Sequence, residues 1–210
     1  MHANRRSIDS QSQTMHSIRR LAALLIAGLL SACAHPMVIT PDIATLQHEV
    51  NAVPINKKVG YYVADDKRAL EVTTPGGGGD KVTYKPYADI ETGLYKILGN
   101  VFAGVTILKA PNDAGAIARN GLSYVLVPEL VTRSSSSSLV TWPPTQFTME
   151  MTCVITDVKG AVVANPKVVG EGKAEYSEFM ADLSLSGKRA AQDALLKMQS
   201  SLLNTPGLRE

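Results

Sequence analysis

Ten consecutive residues, from Phe147 to Thr156, constrain this chain more than any others. Phe147, Met149, Met151, Cys153 and Ile155 alternate there with Thr148, Glu150, Thr152, Val154 and Thr156. Successive side chains of a strand point to opposite faces, so this pattern is a β-strand with one apolar face. A strand of that kind persists only inside a sheet whose apolar face is covered by another layer. The flanking sequence supplies the partners. Asp157-Val158-Lys159-Gly160 reads as a hairpin turn, and residues 161–174 return as a strand that Pro166 places at an edge or a bulge. Upstream, Leu122 to Thr132 is a long apolar strand expected near the centre of the sheet. Pro128 within it calls for a bulge or for an edge where its missing N–H is harmless.

The covering layer is legible as helices. In residues 86–102, Tyr87, Ile90, Leu94, Ile97, Leu98, Val101 and Phe102 recur at steps of three and four. Gly93 and Gly99 weaken that helix. A terminal helix spans residues 188–203, with Ala190, Ala191, Ala194, Leu195, Met198 and Leu202 as its apolar stripe. Small alanines on the stripe predict close packing against the sheet. Strands at 58–64 and 105–108 and a short helix at 113–120, closed by Gly121, complete the order β-α-β-α-β-β-β-α. The expected fold class is α+β, a mixed sheet of about five strands with helices packed on it.

The N-terminal segment says where such a domain works. Arg19-Arg20 is a basic pair, and residues 21–30, LAALLIAGLL, form a short apolar run. Ten residues cannot span a bilayer, which needs roughly 20, but they suit a signal peptide. Met15 stands just before the pair, so residues 1–14 are expected to be an upstream extension. Leu30-Ser31-Ala32-Cys33 resembles the bacterial lipobox. Small residues let the extended chain enter the peptidase, and the Cys33 thiol is the nucleophile that a diacylglycerol donor alkylates. The expected organisation is a signal peptide over 1–32, a lipidated tether over 33–56, and one globular domain over 57–210 that closes its core without the tether. Residues 34–56 carry three prolines and little periodicity, as a tether would. By resemblance to the enteric sorting rule, Ala34 rather than Asp after the cysteine favours the outer membrane.

Composition narrows the function. Of 21 Lys and Arg and 19 Asp and Glu, four basic residues and one acid precede Cys33, so the remainder carries a net charge near −1. That gives no basic footprint for nucleic acid. The glycines of Thr74-Pro75-Gly76-Gly77-Gly78-Gly79-Asp80 lack a phosphate-binding pattern, because Lys81 is followed by Val82 and Thr83 comes one place late. No metal-ligand spacing and no nucleophile elbow occurs, and no cofactor is expected. Glu171, Glu175 and Glu178 lie within eight residues and could suggest a glycan hydrolase. Lys173 stands among them, and a solvated strand face explains all three. Cys153 falls in phase with the core face and is expected to be buried and inert.

The remaining feature is an insert at residues 134–145. It holds a serine run and the single tryptophan, Trp142, followed by Pro143 and Pro144. Two prolines stiffen a segment, and an exposed tryptophan on a stiff arm suits a protein-binding hot spot. The alternative is that Trp142 folds back as a lid on the core. Trp142, Pro143 and Pro144 are therefore the candidate partner-binding residues, and Cys33 the lipidation site.

A lipobox, a Pro-rich tether, "KVGYYVADD" as first strand, "GLSYVLVPEL" as a later strand and an Ala-rich last helix are similar to small proteobacterial lipoproteins. In element order, residues 57–204 resemble YajG-type lipoproteins and the N-terminal domain of TolB. That resemblance implies a non-catalytic protein-interaction or accessory module facing the periplasm, held to the membrane through lipid on Cys33, with an envelope protein as partner. Carriage of a lipid or other hydrophobic ligand is the alternative.

Overall fold

A computed structural model of the protein describes residues 34–74, 81–136 and 143–210. The main sheet has six strands: β2 (Ile55–Tyr61), β5 (Phe102–Ile107), β6 (Tyr124–Ser135), β7 (Gln146–Asp157), β8 (Val162–Ala164) and β9 (Lys167–Lys173). Its order is β5-β2-β6-β7, with β8 and β9 both on the far side of β7. β2 runs parallel to β5 and β6, while β6–β7, β7–β8 and β7–β9 are antiparallel. The mixed α+β architecture with helices on the sheet is as expected. A smaller sheet of order β1-β4-β3 joins His35–Pro36, Val82–Tyr84 and Val72–Thr73.

The period-two run is the spine of the main sheet. Phe147, Met149, Met151, Cys153 and Ile155 are all buried, and their alternates are half-buried on the other face. Two long helices cover the apolar face: α2 (Pro86–Val101) and α5 (Leu185–Leu203). Between β2 and β3 lies α1 (Asp65–Ala69). On the opposite face a second, smaller apolar cluster is built from Leu108, Ala116, Leu122 and Val125, through α3 (Ala114–Asn120). Asp113 caps α3 by accepting the Ala116 N–H, and Gly121 ends it in the left-handed conformation at φ 61°.

Helix α2 passes into β5 without a loop. Phe102 is already extended at the helix end, so the strand starts at 102 rather than 105. Periodicity at 101–102 serves both elements, which is why the boundary is invisible in the sequence. The stretch 161–174 is two strands, not one, broken at Asn165-Pro166. The Pro166 carbonyl accepts the Cys153 N–H across the break. Pro128 sits where β6 has run past β2, whose pairing ends at Leu126. Its missing N–H thus faces a free edge, and two residues on, the Leu130 N–H donates to the Tyr87 hydroxyl at 3.0 Å.

The alanine stripe of α5 approaches β9 to backbone contact. A Cβ on Gly170 would sit 2.6 Å from the Ala194 Cβ and overlap the Ala190 carbonyl. On Gly172 it would overlap the Ser186 carbonyl and lie 2.5 Å from the Ala190 N. The outer edge of β9 is then closed by side chains of the same helix. The Glu171 N–H donates to Asp193 (2.8 Å), Lys197 donates to the Val169 carbonyl (2.9 Å), and Arg189 to the Lys173 carbonyl (2.6 Å).

The expectation that residues 33–56 are a tether outside the domain is corrected. Met37, Ile39 and Leu46 are buried in the main core. The Ile39 N–H donates to the Asp89 carboxylate (3.2 Å) and the Thr40 hydroxyl to the Asp89 carbonyl (2.7 Å). Asn100 on α2 reaches the Leu46 carbonyl (3.1 Å) and Gln199 on α5 (2.7 Å), and Gln199 in turn reaches the Gln47 carbonyl (2.9 Å). The apolar residues of this segment follow neither period, because its own elements, β1 and a single 3-10 turn at Ile43–Thr45, are too short to show one and the rest crosses the helices. Gly93 and Gly187 make room for it, whereas Gly99 faces open space. A Cβ on Gly187 would meet the Ile39 Cβ at 3.3 Å, and one on Gly93 the Leu46 Cδ1 at 3.3 Å.

Candidate interaction surface

Cys33 and Trp142 lie outside the described residues. What is described is how the chain arrives at each of them. After Cys33, β1 is fixed within two residues: the His35 N–H donates to the Lys81 carbonyl and the Met37 N–H to the Thr83 carbonyl, both at 2.8 Å. His35, two residues after Cys33 in the chain, is therefore already part of a hydrogen-bonded strand.

Pro143 and Pro144 are buried, which corrects the expectation that they stiffen an exposed arm. The Pro144 carbonyl accepts the Ser186 hydroxyl (2.7 Å), and the Ala174 N–H donates to the Thr145 carbonyl (2.8 Å). The C-terminal leg of the insert is thus laid down over the start of α5. Hydrophobicity alone does not separate a buried proline pair from an exposed one. On the other leg, β6 and β7 stay paired out to Ser135 and Gln146.

A hollow of about 480 Å³ opens beside these legs, lined by Arg133, Ser135, Gln146, Thr148, Glu171 and Lys173 among others. It belongs to the face of β6, β7 and β9 that α2 and α5 do not cover. Cross-strand neighbours there are Arg133, Thr148 and Glu171 in one row, Val131, Glu150 and Val169 in the next. Val131 and Val169 are exposed, and Lys167 bridges to Glu150 at 2.8 Å. This is a mixed apolar and charged sheet surface that the two long helices leave uncovered.

Of the acidic residues singled out in the sequence, Glu171 is exposed on β9, while Glu175 and Glu178 are engaged. Residues 175–181 are not strand but the start of a short helix, α4 (Tyr176–Ala181), opened by a capping box between Glu175 and Glu178. Glu178 also pairs with Arg189 through two hydrogen bonds of 3.0 and 2.9 Å, which hold its carboxyl at about 2. Asp182 accepts from Ser184 and Lys188 and titrates below the usual range, hydrogen bonding outweighing partial burial. A carboxylate so held is a structural anion, not a proton donor at neutral pH. Burial pushes the Cys153 thiol up to about 12, far from nucleophilic use. The two histidines of the described residues, His35 and His48, are exposed, while Cys153 is fully buried. No group of three or more His, Cys, Asp or Glu able to hold a metal occurs among the described residues.

Sequence reasoning missed α4. Its Phe179 is buried while Tyr176 and Met180, one turn apart, are 58% and 57% exposed. The signal was available as the capping-box spacing Glu175 to Glu178, obscured by its continuity with the strand before it.

No family model matches the chain, and no curated protein does. Among solved structures, it is similar to a DUF330 protein from Xanthomonas campestris, at 11% identity and TM-score 0.42, over 82% of this chain and 93% of that one. A minor lipoprotein from Acinetobacter baumannii is similar at 15% identity and TM-score 0.41, over 70% and 92%. PelC from Paraburkholderia phytofirmans, a dodecamer in its own structure, is similar at 14% identity and TM-score 0.39, over 71% and 90%.

Proposed function

We propose that this chain is a lipoprotein of the bacterial envelope, cut before Cys33, acylated there, and acting as a non-catalytic accessory module that binds an envelope protein from the periplasmic face of the outer membrane. The observation that carries the reading is Leu30-Ser31-Ala32-Cys33 in register behind a basic pair and a ten-residue apolar run. No helix among the described residues is long and apolar enough to cross a membrane, so lipid is the means of attachment this reading invokes. Two or more acyl chains hold a protein stably, one only marginally. The order of elements read from the sequence resembles that of YajG-type lipoproteins and the TolB N-terminal domain, and this resemblance favours a periplasmic interaction module. The uncovered face of β6, β7 and β9, together with Trp142, is where the partner binds in this reading.

The test is metabolic labelling with palmitate in cells expressing the chain or its Cys33→Ser variant, followed by separation of inner and outer membranes. Label in the wild type alone, in the outer-membrane fraction, supports the reading. Equal label in both proteins refutes the assignment of Cys33, and label in the inner membrane refutes the sorting. For the partner, crosslinking in intact cells from position 131 or 169 should capture an envelope protein, and Trp142→Ala should weaken that capture without moving the unfolding midpoint.

A further inference from the structure

The position of the anchor relative to the fold fixes which part of the domain meets the bilayer. Cys33 precedes a hydrogen-bonded strand by two residues, so its acyl chains enter the membrane within about 7 Å of β1. A long tether would leave orientation free; a short one does not. The segment leaving β1 runs directly to the first turn of α5. A Cβ on Gly187 would lie 3.6 Å from the Met37 Cε and 3.3 Å from the Ile39 Cβ. Helix α4 adjoins that same turn, tied to it by the Glu178–Arg189 pair and by Lys188 to Asp182 at 2.9 Å. The opposite end of α5, 19 residues on and roughly 28 Å away at 1.5 Å per residue, lies beside Val53. The domain thus has an anchor end, with β1, α4 and the start of α5, and a distal end, with residues 49–53 and the C-terminus.

Apolar side chains are exposed at the anchor end, as Val50 and Val53 are at the distal end, but only at the anchor end does lipid on Cys33 bring a bilayer within reach. Val38 is 56% exposed, five residues after Cys33, while its neighbours Met37 and Ile39 turn inward. On α4, Phe179 is buried and roots the helix, which leaves Tyr176 and Met180 on its outer side. A tyrosine and a methionine one turn apart, beside Lys173 and Ser177, make a short interfacial surface. Tyrosine is favoured at the headgroup level because one end is apolar and the other wet. Of the charged groups nearby, Arg189 pairs with Glu178 and Lys188 with Asp182, and the exposed Lys173 stands between Glu171 and Glu175 in the chain, so no net positive patch is presented and the contact should not depend on anionic lipid.

We infer that the domain rests on the bilayer by its anchor end, with Val38 beside the acyl chains and Tyr176 and Met180 of α4 seated among the lipid headgroups. This rests on the lipoprotein reading of Cys33. The consequence is an oriented domain, with residues 49–53 pointing away from the membrane.

The experiment uses the full mature acylated chain in phosphatidylethanolamine–phosphatidylglycerol vesicles. Cys33 is blocked by lipid and Cys153 is buried, so a single introduced cysteine carries an environment-sensitive nitrobenzoxadiazole label. Val38→Cys, Tyr176→Cys, Met180→Cys and, as a distal control, Val50→Cys are compared. The inference expects a blue shift of emission and quenching by doxyl-labelled lipid at 38, 176 and 180, and water-like emission without quenching at 50. Quenching at 38 alone, or at none of the four while the protein floats with the vesicles, overturns it, as does equal quenching at all four. Failure to float in wild type and variants alike marks failure of the lipoprotein reading instead. Loss of flotation in one variant only is checked by its circular dichroism melt; a folded variant that detaches supports the contact. Vesicles with and without phosphatidylglycerol should give the same quenching, and dependence on the anionic lipid would overturn the apolar contact.

Discussion

Ile39 is the best place to ask whether the segment after Cys33 belongs to the domain. Its side chain is fully buried, its N–H is held by Asp89, and its Cγ2 fills the notch left by Gly187. Ile39→Ala removes three carbons with little room for collapse, since the notch is walled by helix backbone. Such changes cost about 2–5 kcal/mol, transfer and cavity terms together. With a urea slope near 2 kcal/mol per M, the midpoint should fall by about 1–2.5 M. Removing the whole segment, so that the chain begins at Pro54, deletes Met37, Ile39 and Leu46 at once. Three such losses come to roughly 6–15 kcal/mol, as large as the entire stability of an ordinary domain, although neighbours couple and the sum is an upper bound. The truncated chain should therefore fail to melt cooperatively, while one beginning at Ala34 should unfold in a single transition. The assay is urea unfolding followed by circular dichroism. An unshifted midpoint for Ile39→Ala, or a cooperative transition for the chain starting at Pro54, would refute the packing argument and restore the segment to a tether.

Gly172→Ala should destabilise by about 1–3 kcal/mol, because the new methyl overlaps the Ser186 carbonyl and must push α5 off β9; an unchanged denaturant midpoint would show that the helix is free to shift. Cys153 should react with a thiol reagent only after denaturation, its thiol raised to about 12 and fully buried; rapid labelling of the native domain would overturn its structural role. Glu178 is held below its unfolded value, so its stabilising contribution is present above pH 4.5 and is lost as pH falls toward 2. The gap in unfolding midpoint between wild type and Glu178→Gln should accordingly shrink between pH 7 and pH 2.5, and a gap independent of pH would mean that Arg189 does not act through charge.

The sequence exposed those parts of the fold in which one period operates alone. β7 announced itself because its two faces differ in polarity at every step, and the stripe of α5 because Ala190, Ala194 and Met198 mark one side of a helix. The strand boundary at Phe102 did not, since a residue that ends one helix face can begin a strand face with the same apolar side chain. Residues 34–56 were hidden for a different reason. Met37, Ile39 and Leu46 are buried through contacts that no local spacing encodes, and three prolines in the same stretch suggest a spacer. Of the two glycines that interrupt the first helix pattern only Gly93 marks the crossing, and Gly187 stood outside the expected 188–203 helix. The same limit applies to the surface: Pro143 and Pro144 look like a stiff arm in the sequence, yet their environment is set by Ser186, 42 residues on.

Edge strands are where sheets of separate molecules join, because their outward amides and carbonyls are unspent. On β9 three of them are spent. Asp193, Lys197 and Arg189, spaced four residues apart along α5, occupy the groups of Glu171, Val169 and Lys173 in turn. Proteins held on a two-dimensional surface meet one another far more often than the same number free in solution. A border strand partly occupied by its own helix is a poorer template for a neighbouring copy, and it is so without a proline or a bulge in the strand itself.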